Sequence, residues 1–441
     1  MKSRRSTAQP LSNSQALAPP PVVEIEKPIY GGNFLARLEG KAVFVPLALP
    51  GETVRARITQ NKSGYSTAEL VSIVSASPER LDPRCPHFGS CGGCNYQHTD
   101  YATQLAFKQA ILRETLERAA VPAPAAIGVL AADPWAYRNR IRIAFDANGN
   151  PGYRGRRSHD LVPIRECPIA APLLITAAQA AAEALARVPA NLRPHELLLF
   201  CNSEESALLA TLFTGGPEQL RVETIAQQLH EHVPALKGLE LATGGRPGRP
   251  PQMLAQWGAA SLIYRAAGFE YRVDNGAFFQ VNRWLIDSFV GHVIGDARGE
   301  LAWDLYAGVG LFARQLAARF VKVIAVESAP TATSALTANL AGTAGEAIAE
   351  STLEFLRSRS GLARPELIIV DPPRTGLDGG VSALIAEVTA PRLVYVSCDP
   401  ATLARDLKVL LAGGYGIESI TLADLFPQTF HLETVVRLRH S

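Results

Sequence analysis

Between Val22 and Val74 apolar and polar positions alternate in short runs: Ala42 to Leu47, Glu52 to Ile58 and Ser66 to Val74. Gly31-Gly32, Pro50-Gly51 and Asn61 to Gly64 punctuate them. Closely spaced strands of this kind predict a small β-barrel of the oligonucleotide-binding type over residues 22–76. A helical pattern follows from Tyr101 to Ala119. Residues 133–270 read as mixed, with strands near Arg140–Phe145 and Glu196–Cys201 and an alanine-rich helix near 171–187. Together, 77–270 are expected to form a central α+β domain. From about Leu301 the pattern turns to strand, helix, strand, with strands at Leu301–Tyr306, Val321–Glu327, Glu366–Val370 and Arg392–Ser397. That alternation predicts a parallel, doubly wound sheet of the Rossmann type within residues 271–441, and an α/β fold class. Two closing strands are expected around Ile417–Leu422 and Glu433–Leu438.

Composition adds limits. With 47% hydrophobic residues, 441 residues bury a substantial core in two or three domains. Residues 1–21 are rich in Ser, Gln, Ala and Pro and read as a disordered tail. Net charge is only +2, but residues 1–170 carry a balance of +7 and the remainder −5, so the front of the chain suits a polyanion. The basic start precedes no continuous apolar run, so no membrane segment is expected and a cytoplasmic location follows by default. In that compartment cysteines serve metals or catalysis more often than disulfides.

Asp304-Leu305-Tyr306-Ala307-Gly308-Val309-Gly310 ends a predicted strand and opens a helix. Gly308 and Gly310 let the backbone turn tightly beside a ligand at the carboxyl end of the sheet. Glu327, ending the next strand, has the place of an acid that accepts hydrogen bonds from both ribose hydroxyls of an adenosine. Asp371-Pro372-Pro373-Arg374 closes a further strand and resembles the signature of class I methyltransferases. Amino methyltransferases end that signature in an aromatic residue; Arg374 in its place argues against chemistry on an adenine nitrogen.

Ser397-Cys398-Asp399-Pro400 closes the following strand on the same edge, so Cys398 is expected to point into the site. Carbon 5 of uracil is a poor nucleophile, and a thiolate adding to carbon 6 turns it into an enolate carbon able to attack an electrophilic methyl group. A base must then remove the carbon 5 proton. Glu433, in His431-Leu432-Glu433-Thr434, is the candidate base, and Gln280, in Phe278-Phe279-Gln280-Val281-Asn282, offers a carboxamide to the uracil edge or the cofactor.

In this set and order the motifs resemble the bacterial RNA uracil-5-methyltransferase family, in particular its 23S ribosomal RNA members, over nearly the whole chain from about residue 22. The resemblance implies Cys398 as nucleophile, Glu433 as base, and Gln280, Tyr306, Glu327 and Asp371 around S-adenosylmethionine. Leu311 departs from it, standing where some members carry a polar residue. It also implies an N-terminal TRAM barrel and a target uridine flipped out of its stack. The preferred partner is 23S ribosomal RNA; the transfer RNA T-loop uridine is the alternative, and a non-catalytic iron–sulfur RNA-binding protein is the reading from another class. A monomer is expected.

Two further groups bear on ligands. Cys85, Cys91, Cys94 and Cys167 make four thiolates able to hold zinc or an iron–sulfur cluster, and three clustered cysteines plus a remote Cys-Pro fit iron–sulfur better. The ribosomal members of the family carry a [4Fe–4S] cluster, which the resemblance implies here. Arg138, Arg140, Arg142, Arg154, Arg156 and Arg157, interleaved with Tyr137 and Tyr153, fit phosphate contacts and base stacking.

Overall fold

In the computed structural model the first alternating runs close on themselves. The structure describes residues 19–441 apart from Ala147, His159 and the segments 216–220, 245–250, 359–362 and 378–379. The first 18 residues, most of the expected tail, lie outside the described residues. By its contacts the chain divides into two units: Met1–Leu112 with Gln428–His431, and Arg113–Pro427 with Leu432–Ser441.

The first unit holds a barrel of β1 (Val22–Ile29), β2 (Asn33–Leu38), β3 (Lys41–Pro46), β4 (Thr53–Asn61) and β5 (Tyr65–Ser75), in the order β1-β2-β3-β5-β4. Closure pairs β1 with β4, so the barrel has no free edge. The inward side of the alternation, including Val23, Ile25, Phe34, Val43, Val45, Val54 and Ala68, forms its core. Glu52 is fully buried and accepts bonds from Arg80 at 2.5 and 2.7 Å and from the backbone N–H groups of Leu49 and Ser77. A buried carboxylate requires that satisfaction. Segment 428–431 belongs to this unit: the Gln428 carbonyl accepts from the N–H groups of Asn95 and Tyr96, and Gln428 itself is left-handed at φ 67°. From this unit runs the helix α1 (Tyr101–Arg118).

The second unit contains two larger sheets. The seven-stranded one has the order β13-β12-β11-β10-β7-β8-β9, read from the ranges β7 (Arg140–Phe145), β8 (Pro151–Arg154), β9 (Leu161–Pro163), β10 (Glu196–Cys201), β11 (Leu208–Thr214), β12 (Leu236–Thr243) and β13 (Met253–Gly258). The alanine-rich α2 (Pro172–Ala186) and α3 (Val222–His232) share its apolar core. A hairpin, β14 (Ser261–Ala266) and β15 (Phe269–Asp274), joins the core of the other large sheet.

The catalytic sheet has eight strands in the order β18-β17-β16-β19-β20-β22-β21-β6. Its members are β6 (Gly128–Leu130), β16 (Gly299–Leu305), β17 (Phe320–Val326), β18 (Gly345–Ile348), β19 (Leu367–Val370), β20 (Arg392–Ser397), β21 (Tyr415–Ala423) and β22 (Thr434–His440). Strands β16 to β20 run parallel, with α4 (Ile286–Ile294), α5 (Leu311–Leu316), α6 (Pro330–Leu340), α7 (Thr352–Ser358), α8 (Val381–Val388) and α9 (Pro400–Ala412) before and between the strands. The inner strand β19 is buried on both faces, which is why Leu367-Ile368-Ile369-Val370 reads as an unbroken apolar run. One member comes from far away in sequence: β6 pairs with β21 although it lies in the stretch expected to be central domain. A three-residue strand carries too little periodicity to be seen without its partner. Among the described residues no helix is long and apolar enough to cross a membrane.

Candidate active site

Strand order reverses at β16, with β17 and β18 on one side and β19 and β20 on the other. The crevice at the carboxyl ends of such strands is where a doubly wound sheet takes its ligand. Strand ends bring Asp304 to Gly310, Glu327, Asp371 and Cys398 to that edge. The closing strand completes the set. Because β22 is antiparallel to β20, with Ser397 opposite Thr434, its first residues lie at the same edge, and Cys398 and Glu433 follow as neighbours across the pair.

The turn after β16 is left-handed three times, at Tyr306 (φ 64°), Gly308 (φ 55°) and Gly310 (φ 90°). Tyr306 holds a conformation that costs a side-chain-bearing residue free energy, a kind of strain that gathers at functional sites. Glu327 secures the turn. Its carboxylate accepts from the N–H groups of Gly308 at 2.9 Å and Ala329 at 2.7 Å. Asp304, fully buried, accepts from the Ala313 N–H at 2.7 Å through Oδ2, while Oδ1 reaches no partner among the described residues. Burial, aided by the charges of Asp371 and Glu327, lifts its carboxyl to about 8. A cofactor fits this edge. A Cβ added at Gly308 meets nothing within 4 Å, so open space stands beside the turn.

Gln280 is buried, with Nε2 donating to Asp371 at a long 3.5 Å. Asp371 is pushed up by burial. Glu433, 4% exposed, is pushed well above the usual carboxylate range by burial and by Asp371, with Arg374 opposing, and its Oε1 is unpartnered among the described residues. Burial, Glu433 and Asp371 raise the Cys398 thiol to about 12, again against Arg374. Cys398 is held from behind: Asp399 caps α9, accepting from the N–H groups of Ala401 and Thr402 at 3.0 Å each. Thr402 in turn donates its hydroxyl to the Arg374 carbonyl at 3.3 Å, tying the Asp-Pro-Pro-Arg loop to that helix start. A partly accessible thiol beside a carboxylate kept ready to accept a proton is the equipment of covalent addition followed by elimination.

The arginines separate by surroundings. Arg142 pairs with Glu196, which also lies 3.8 Å from Arg154. Arg140 lies over the Phe200 ring at 4.3 Å, and burial lowers its pKa to about 10. Arg156 is lowered by burial and by Arg157, which is exposed. Arg138 bridges Ala170 and Asn282 through its backbone. The four cysteines are all partly exposed. Cys85, Cys91 and Cys94 belong to the first unit and Cys167 to the second. Among the described residues no three His, Cys, Asp or Glu side chains converge to hold a metal ion. Sequence reading missed Asn139 and Tyr264, buried residues joined to each other and, through Asn139, to the Gln280 carbonyl. In the sequence Asn139 stands between Arg138 and Arg140, so nothing local marks it as buried.

The comparisons with known proteins follow this anatomy. The family tRNA (Uracil-5-)-methyltransferase matches residues 362–441, and the TRAM domain matches residues 22–71. A solved structure described as Pyrococcus abyssi tRNA (uracil-54, C5)-methyltransferase in complex with S-adenosyl-L-homocysteine superposes with a TM-score of 0.76. It covers 94% of this chain and 99% of its own, at 23% identity. Fold and site together define a class I, S-adenosylmethionine-dependent methyltransferase carrying an RNA-binding TRAM barrel. An uncharacterized RNA methyltransferase of Streptomyces avermitilis is 34% identical, over 94% of this chain and 97% of its own. The 23S rRNA (uracil(1939)-C(5))-methyltransferase of Halomonas elongata is 32% identical, over 93% and 88%. That of Pectobacterium atrosepticum is 31% identical, over 93% and 91%. The chain belongs to the RNA uracil-5-methyltransferase family.

Proposed function

We propose that this enzyme methylates carbon 5 of a uridine in 23S ribosomal RNA, with Cys398 as covalent nucleophile and Glu433 as base. The supporting observation is the pairing of Ser397 with Thr434, which makes Cys398 and Glu433 neighbours at the switch-point edge beside Asp371. Gln280, Tyr306, Gly308, Gly310, Glu327 and Asp371 would hold S-adenosylmethionine, which supplies an electrophilic methyl group when bound. The Cys398 sulfur, as the thiolate, adds to carbon 6 of the flipped uracil, and the electron pair of the carbon 5–carbon 6 double bond moves to make carbon 5 nucleophilic. Once carbon 5 is methylated, Glu433 takes its proton, the carbon–sulfur bond breaks, and Cys398 leaves with the double bond restored. Relatives named for 23S rRNA cover nearly the whole chain at 31–32% identity, which favours ribosomal over transfer RNA. The arginines at exposed positions, Arg142, Arg154 and Arg157, are assigned to RNA phosphates, whereas Arg140 packs on Phe200.

Cellular RNA containing 5-fluorouridine tests this reading. Fluorine at carbon 5 blocks proton removal, so the enzyme with S-adenosylmethionine should form a denaturation-resistant adduct that Cys398→Ala cannot form. The sequence of the trapped RNA then decides between a ribosomal uridine and the transfer RNA T-loop. Failure of RNA-binding protein to form any adduct would move the assignment to a non-catalytic RNA-binding protein.

The spacing of Cys85, Cys91, Cys94 and Cys167 supports ligation of a [4Fe–4S] cluster. Protein purified without oxygen should contain four iron and four acid-labile sulfide per chain, lost in Cys91→Ser. No step of the methyl transfer passes through it.

A further inference from the structure

Gln280 is offered to the crevice by a loop, Asn275–Trp284, that has no regular secondary structure of its own to hold it. What holds it lies 141 residues earlier in the chain. Asn139, immediately before β7, has no exposed surface. Its Nδ2 donates to the Gln280 carbonyl at 2.9 Å and to the Tyr264 hydroxyl at 3.1 Å. Its backbone N–H donates to the Val281 carbonyl at 3.0 Å. One residue thus grips two consecutive carbonyls, those of Gln280 and the residue after it. Its neighbour adds a third grip on the loop, because Arg140 donates from Nη1 to the Ala277 carbonyl at 2.6 Å. Underneath, the Phe279 ring packs on Tyr264 at 4.5 Å.

The orientation of the Asn139 amide is informative. Its Oδ1 is buried without a partner among the described residues. A flipped amide would turn that oxygen toward the Gln280 carbonyl and set two acceptors against each other at hydrogen-bond distance. The donors therefore face Gln280 and an acceptor is left unsatisfied, which buried polar groups rarely tolerate. By contrast, the Gln280 side chain reaches Asp371 only at 3.5 Å, too long to orient it. The backbone grip sets where the carboxamide can reach.

We propose that Asn139 is a positioning residue for the cofactor site, acting through Gln280. The inference rests on the assignment of Gln280 to S-adenosylmethionine made above. Without the Nδ2 donors the Gln280 carbonyl loses its partner, the loop relaxes, and the carboxamide leaves the crevice edge.

The test is a double-mutant cycle on S-adenosylhomocysteine affinity, measured by calorimetry, with Asn139→Ala, Gln280→Ala and both together. Each single variant should weaken binding by about tenfold, and the pair should be no weaker than Gln280→Ala alone. Tyr264→Phe removes the other acceptor of Nδ2 but keeps the ring, and it should bind within about twofold of the parent. If Asn139→Ala does not fold, Asn139→Ser enters the same cycle. Losses that simply add in the double variant would overturn the proposal, since Asn139 would then act independently of Gln280. Unchanged binding in Gln280→Ala would instead remove the assignment of Gln280 to the cofactor on which the proposal rests.

Discussion

At the scale of single residues, the site sets a cysteine that ionises with difficulty beside a carboxyl group whose proton affinity burial raises. Burial and two carboxylates raise this thiol to about 12, well above the ordinary thiol range. Charge substitutions should move it in opposite directions. Near the pH where this thiol titrates, Glu433 is ionised, so Glu433→Gln removes a negative charge and lowers the midpoint of Cys398 alkylation. Arg374→Met removes the opposing cation and raises it. The rate of iodoacetamide reaction against pH reads both, and shifts of equal sign would refute the arrangement. Glu433→Gln should also accumulate a methylated covalent adduct on ordinary RNA, because addition survives while elimination stalls. Cys398 and Glu433 were legible in the sequence as motif members. Their burial, their mutual charge and the amide of Asn139 were not, because each depends on residues remote in the chain.

At the scale of elements, the turn between β16 and α5 shows two glycines doing different jobs. A Cβ on Gly310 would meet Leu336 Cδ1 at 2.7 Å in a residue at φ 90°, so this glycine serves the close packing of α5 on α6. Gly310→Ala should lose about 1–3 kcal/mol in thermal unfolding. Gly308, at φ 55°, has open space where its Cβ would stand. Gly308→Ala should therefore cost about 1–2 kcal/mol of strain but weaken S-adenosylhomocysteine binding by more than its loss of stability accounts for. Unfolding and calorimetry on the two variants separate the roles. The parallel strands announced themselves as apolar runs, and observed β20 spans the expected Arg392–Ser397. The hairpin β14–β15 was not foreseen, since the stretch around it reads only as mixed. Strand β6 was hidden because its pairing with β21 bridges nearly three hundred residues.

For the whole molecule, the sequence places a basic front on a mildly acidic remainder, and the structure divides the arginines of that front by what they touch. RNA affinity should fall with salt by about tenfold between 50 and 200 mM for every two phosphates neutralised. Arg157→Ala, at an exposed position, should lower the slope of log affinity against log salt by about 1. Arg140→Ala should leave the slope unchanged, because its guanidinium is packed on Phe200 and tied to Ala277. Binding titrations at several salt concentrations measure both. The sequence by itself determined the class of chemistry, the barrel, the doubly wound sheet and the family, because alternation and short motifs are local and survive without a partner. Only the tertiary structure decided which residues face one another. The antiparallel return of β22 sets Glu433 beside Cys398, and a strand start in the central sheet holds the Gln280 loop. Those relations come from register and packing between distant segments, which no window along the chain contains.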